Sequence, residues 1–122
     1  MQESFHSSFG VRLAIPAVVR AILDFMNADV KRAYKILIGT DSERRADKSA
    51  DFVTAIVVHR VGNGGRYFWR HFEAPQKFHT LRERIVREVL ISLEVAKEFL
   101  TESQKLALPA FDFEIHVDIG EN

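Results

Sequence analysis

The sequence predicts an α/β fold built on a mixed sheet: three antiparallel strands, a crossover helix, and a fourth strand parallel to the first, all preceded by one helix. Three observations predict it. The chain has 122 residues and is 47% apolar, enough to bury the core of a single domain. Four segments read as strands, by apolar run, β-branched or aromatic content, or alternation, and two carry the pattern of a helix. The longer helical segment lies between the third and fourth strands, which lets the fourth return beside the first and run parallel to it. The expected organisation is one domain over 1–122, with a lead-in and helix over 1–33 and a β-β-β-α-β core over 34–122.

Residues 1–10 are polar with two isolated Phe and predict an irregular lead-in. Pro16 suits the first turn of a helix, and Val18, Ile22, Phe25 and Met26 recur at helical spacing up to Asn27. Tyr34 to Ser42 predicts the first core strand, because Ile36, Leu37 and Ile38 form an apolar run that ends in Gly39, Thr40 and Asp41. Ser42 to Ala50 has no apolar periodicity and predicts a mobile loop. Phe52 to Arg60 is β-branched and apolar on both faces, as a central strand is. Gly62 to Gly65 is a turn signal, and Arg66 to Ala74 is the aromatic partner strand, ended by Pro75. Thr80 and Glu83 have capping-box spacing, and no Gly or Pro interrupts the helical pattern from Leu81 to about Thr101. Phe111 to Ile119 alternates apolar and polar residues and predicts the fourth strand.

Composition narrows the function classes. Lys plus Arg equals Asp plus Glu, 17 each, so no net field attracts nucleic acid, and any such partner needs a local patch. The absence of cysteine excludes disulfides, thiolate metal sites and thiol nucleophiles, and leaves carboxylates and five histidines as candidate ligands. No apolar run approaches the ~20 residues that span a bilayer, and no signal pattern opens the chain, so the expected location is the cytoplasm.

Asp41 is the first candidate site residue, since the mouth beyond the carboxyl ends of strands commonly holds ligands. A parallel fourth strand would bring Asp118 beside it. On the long helix, at about 100° per residue, Glu88 projects within roughly 20° of Leu81, Val95 and Phe99 and so points at the sheet. A carboxylate facing a core needs a partner or a metal. Three such oxygens suit Mg²⁺ or Mn²⁺ and phosphoryl-transfer chemistry. Each also has a plainer reading: an Asx turn for Asp41, solvent exposure for Asp118, and an ion pair with Arg84 for Glu88. His116 reads as an exposed polar residue, and His59, His71 and His79 as structural. Arg44, Arg45 and Lys48 read as a solvated loop, and Tyr67 with Trp69 as core or interface packing.

The segments Ile38-Gly-Thr-Asp-Ser42, the 52–60 and 66–74 hairpin, Arg87 to Lys97, and His116-Val-Asp-Ile-Gly-Glu-Asn122 together resemble the YkuK-like family, a bacterial group assigned to the ribonuclease H-like superfamily. The resemblance runs from about Tyr34 onward. It implies an RNase H-like fold in which acids on the first strand, the following helix and the end of the fourth strand bind two Mg²⁺ ions, here Asp41, Glu88 and Asp118. Ser42 stands where ribonucleases H usually carry Gly. The superfamily fold continues with a helix, a fifth strand and a late helix bearing a fourth acid, so the resemblance implies that the C-terminal part of the fold is missing. The exposed fourth-strand edge would then invite pairing with another copy. Two functions follow: a metal-dependent nuclease with catalytic Asp41, Glu88 and Asp118, or a non-catalytic module that binds protein or nucleic acid.

Overall fold

In the computed structural model, residues 4–117 are described. A short hairpin of β1 (Phe5–Ser7) and β2 (Arg12–Leu13) leads into α1 (Ile15–Asn27). β3 (Tyr34–Arg44), β4 (Ala50–Arg60), β5 (Gly65–Ala74), α2 (Leu81–Leu106) and β6 (Asp112–His116) follow. One six-stranded sheet has the order β2-β1-β5-β4-β3-β6. β3, β4 and β5 are antiparallel neighbours, and β6 runs parallel to β3, with Lys35 opposite Asp112 and Gly39 opposite His116. The β-β-β-α-β order and the crossover expected from the sequence are both present.

Two expectations are corrected. The lead-in is not irregular: β1 pairs with β5, setting His6 opposite Trp69, and Phe5 is fully buried. A strand of three residues is too short to show a period, but its backbone satisfies an edge of the sheet and Phe5 fills the core. The 42–50 stretch is not a mobile loop either. Its charged residues are carried into β3 by pairing of Ser42, Glu43 and Arg44 with Phe52, Asp51 and Ala50. The tip is closed by the Arg45 N–H on the Ser49 carbonyl at 2.8 Å, and by Asp47, which accepts from the Ser49 N–H at 3.0 Å and its hydroxyl at 2.6 Å. Those two bonds from Ser49 hold the Asp47 carboxyl below its ordinary value.

The sheet is covered on one face. Ile36, Ile38 and Thr40 of β3 and Phe52, Thr54, Ile56 and Val58 of β4 are buried there, in a core shared with α1 and α2. α1 contributes Val18, Val19, Ile22, Phe25 and Met26, at the spacing that aligns them on one side of a helix. On the alternate face no element covers the sheet among the described residues, so Val53 stays 41% exposed and Tyr67 49%. The apolar character of both faces of β4 therefore marks a central strand in sheet order without marking one buried on both sides. Gly62 and Gly64, with φ of +80° and +83°, turn the chain from β4 into β5. At Gly65 a Cβ would stand 2.6 Å from the Val58 carbonyl oxygen.

α2 starts at a complete capping box. The Thr80 side chain accepts from the Glu83 N–H at 3.1 Å, while the Glu83 carboxylate accepts from the N–H groups of His79 at 2.6 Å and Thr80 at 3.3 Å. The helix runs past the expected end near Thr101 to Leu106, and within this last stretch the Thr101 and Ser103 hydroxyls bond back to the carbonyls of Lys97 and Leu100. Phe99 is fully buried and stacks on Phe113 of β6 at 6.1 Å, tying the helix to the returning strand. The apolar residues of α2 divide: Val95 and Phe99 are buried, whereas Leu81, Val86, Leu90 and Leu93 are exposed.

The bond from the His79 N–H, followed by that from Thr80, holds the Glu83 carboxyl below its usual value of 4.5. A group depressed on folding stabilises fully above its ordinary value and loses that contribution as pH falls through the lower folded value. Glu83→Gln should therefore weaken the fold at neutral pH and lessen its loss of stability in acid, read by urea unfolding across pH. An acid limb identical to that of the native chain would remove this role for Glu83.

Candidate metal centre

α2 presents Glu88, Ser92, Val95, Phe99 and Ser103 to the sheet, a stripe at helical spacing that is part polar. Glu88 is 6% exposed. An anion so placed needs donors, and the Ser42 hydroxyl supplies one to the Glu88 carboxylate. Arg84, one turn earlier on α2, meets the same serine: its Nη1 donates to the Ser42 hydroxyl at 3.1 Å and to the Ser42 carbonyl at 3.3 Å, while its buried Nε has no hydrogen-bond partner among the described residues. Deeper along the same two elements, the Thr40 hydroxyl bonds to those of Thr54 at 2.9 Å and Ser92 at 2.7 Å. A column of hydrogen-bonded polar groups thus lies between α2 and β3.

Asp41 is exposed, and strand alternation turns it to the uncovered face, away from the side on which Ser42 meets Glu88. Its Oδ1 accepts from the Ser42 N–H at 2.9 Å, the local turn-like bond that Asp often makes. Asp41 and Glu88 therefore do not share one face, but they approach a single residue from its two sides. Asp41 lines a shallow cleft with Gly39, Val53 and Val117. Asp118, the third expected acid, lies outside the described residues.

A different group gathers on the uncovered face. Asp51, His71 and Glu73 offer ligand atoms within 4.8 Å of one another. The pairing of Asp51 with Glu73 and of Val53 with His71 sets them there. Arg45 already serves them as a cation, bonded to Asp51 and, at 3.0 Å, to Glu73, while His71 Nε2 lies 3.1 Å from Asp51 Oδ1. The sequence reading of Arg45 as solvated and His71 as structural missed this arrangement. Alternation along each strand was a usable signal, but it needed the register between them. His116 is exposed as expected, and its bond to Glu114 at 2.9 Å, followed by that of Lys35, lowers the Glu114 carboxyl below its ordinary value.

These features define a class. A family model described as Ribonuclease H-like matches residues 17–122, and the chain belongs to that family. It is also 29% identical over 127 residues to the Bacillus subtilis (strain 168) protein named Uncharacterized protein YkuK, covering 96% of this chain and 73% of that relative. The YkuK-like, RNase H-like assignment and the α/β fold expected from the sequence are both supported by these matches. No solved structure gives a match of comparable strength. Among the described residues, no helix is long and apolar enough to cross a membrane.

Ser42→Ala would strip a donor from buried Glu88 and an acceptor from Arg84. Losing a hydrogen bond to a charged group costs about 1.5–3 kcal/mol, the loss expected in urea unfolding. Unchanged stability would show that the hydroxyl does not hold Glu88 in place.

Proposed function

We propose that the protein is a divalent-cation-dependent nuclease that hydrolyses nucleic-acid phosphodiesters, with Asp41, Glu88 and Asp118 holding Mg²⁺ or Mn²⁺. The observation that carries this reading is that the carboxylates of Asp41 and Glu88 both hydrogen-bond to Ser42, so two acids from different elements converge on one residue. The donor set fits a hard cation, since carboxylate oxygens suit Mg²⁺ and Mn²⁺. Membership of the RNase H-like family agrees with nucleic-acid chemistry. Val117, which immediately precedes Asp118 in the chain, lines the cleft that also contains Asp41.

When bound, the cation would activate water and neutralise charge on the phosphodiester. The remaining roles belong to this chain. Glu88 is fixed by the Ser42 hydroxyl and presented by a helix packed on the sheet. Asp41 is steadied by the Ser42 N–H and faces the open cleft through which an extended substrate could enter. Arg84, held at Ser42, contributes positive charge beside the two acids.

The second reading is a non-catalytic RNase H-like module that binds protein or nucleic acid. It draws on the satisfaction of Glu88 by Ser42 and on the neutral net charge. Calorimetric titration with Mn²⁺ separates the two. The nuclease reading expects binding by the native chain, and replacing one charged ligand, worth about 1.5–3 kcal/mol, should weaken it about tenfold or more in Asp41→Asn and Glu88→Gln. Mn²⁺-dependent cleavage of RNA, RNA–DNA hybrid or branched DNA should fall with it. No binding at millimolar Mn²⁺ would leave the module reading standing.

β6 forms one edge of the sheet among the described residues, and we propose that a second copy pairs along it. Sedimentation at rising concentration should then show a dimer that a proline at Glu114 prevents. A monomer at all concentrations would end this proposal.

A further inference from the structure

We propose that the cleft between the β1–β2 hairpin and α1 binds a small, singly charged carboxylate with an apolar body, of the aryl- or acyl-carboxylate class. The proposal is independent of the nuclease reading. The cleft lies beside Arg60 and Arg66 at the β4–β5 turn, at the opposite end of that hairpin from the residues paired with Asp41 and Ser42.

Its volume is about 550 Å³, within the range of small-molecule sites. Phe9, Val11, Leu13, Phe25 and Phe68 give it an apolar lining. Two of these are conspicuously wet: Phe9 is 72% exposed and Val11 53%. They are nevertheless held in place. The Ser7 hydroxyl accepts from the N–H groups of both Phe9, at 3.1 Å, and Val11, at 3.0 Å, and Gly10 turns the tip at φ +84°. A fixed apolar wall left in water is a surface that gains by being covered.

Charge determines what kind of ligand would cover it. Arg60 is anchored, donating from Nε to the Tyr34 hydroxyl at 3.0 Å and from Nη2 to the Phe25 carbonyl at 2.7 Å, with its guanidinium 4.0 Å from the Phe25 ring centre. The Arg66 guanidinium lies 4.7 Å from Phe25 and 5.1 Å from Phe9 and donates to its neighbour's carbonyl, Gly65, at 2.9 Å. Among the described residues, neither guanidinium is paired with a carboxylate. A guanidinium carries five donors in a planar fork that matches a carboxylate, so Arg66 has donors to spare beside the apolar wall. Asp24, exposed and also lining the cleft, would repel a second negative charge. A monocarboxylate satisfies all three conditions, whereas a polyphosphate meets Asp24.

The test is an NMR titration of the ¹⁵N-labelled protein with 4-phenylbutyrate and its neutral amide. The carboxylate should give saturable shifts at the hairpin and Phe25, and the amide, lacking a charged bond worth about 1.5–3 kcal/mol, should bind about tenfold more weakly or worse. Arg66→Met keeps an apolar stem between the rings and should lose the same factor without a change in unfolding midpoint. If that variant is destabilised, Phe9→Ser, at an exposed position, should weaken the carboxylate and the amide alike. Equal affinity for acid and amide, shifts that map elsewhere, or no saturation by millimolar ligand would overturn the proposal.

Discussion

A carboxylate cannot lie between a helix and a sheet without donors, and the way Glu88 obtains one organises much of this molecule. Its donor, the Ser42 hydroxyl, is also the acceptor for Arg84, so two residues one turn apart on α2 are fixed against a single residue of β3. Ser92 continues the contact to Thr40 and through it to Thr54 of β4. Apolar packing of Val95 and Phe99 supplies most of the attraction between helix and sheet, but it tolerates sliding. The polar column tolerates it less, because hydrogen bonds between buried groups depend on distance and direction. It sets the rotation and height of α2, and hence what lies near the carboxyl end of β3.

Ser42 also explains how two acids on opposite sides of a strand can belong to one place. Its side chain turns toward the covered face and meets Glu88, while its backbone N–H meets the Asp41 carboxylate. A glycine there, usual in ribonucleases H, would keep the N–H and lose the hydroxyl. The serine therefore replaces conformational freedom with a specific bond to the buried acid.

The second governing feature is that both helices lie on one face. The other face keeps half-exposed apolar residues at its centre, with His6 stacked on Trp69 at 4.3 Å toward one side. The end of that face beyond Asp41 carries Asp51, His71 and Glu73, which Arg45 draws together. In this arrangement one arginine serves two carboxylates. Arg60 and Arg66, which pair with no carboxylate among the described residues, are instead stacked over aromatic rings at the far end of the β4–β5 hairpin. RNase H-like membership accounts for the architecture, whereas any chemistry depends on these particular side chains.

The sequence by itself determined the long elements and their order. Period and capping are local properties, so the Pro16 helix, the strand through Ile36 and Ile38, the β4–β5 turn and the Thr80–Glu83 helix start were all readable from neighbours in the chain. The inward direction of Glu88 was readable too, because helical geometry relates it to Val95 and Phe99. Only the tertiary structure decided what could not be expressed in a single segment. The three-residue β1 owes its existence to β5, and the charged end of β3 is a strand because β4 pairs with it. Arg45 and His71 meet through a register between strands, and Asp41 and Glu88 through opposite sides of Ser42. Such contacts join residues distant in the chain, and their energies appear only once backbone pairing and burial have brought those residues together.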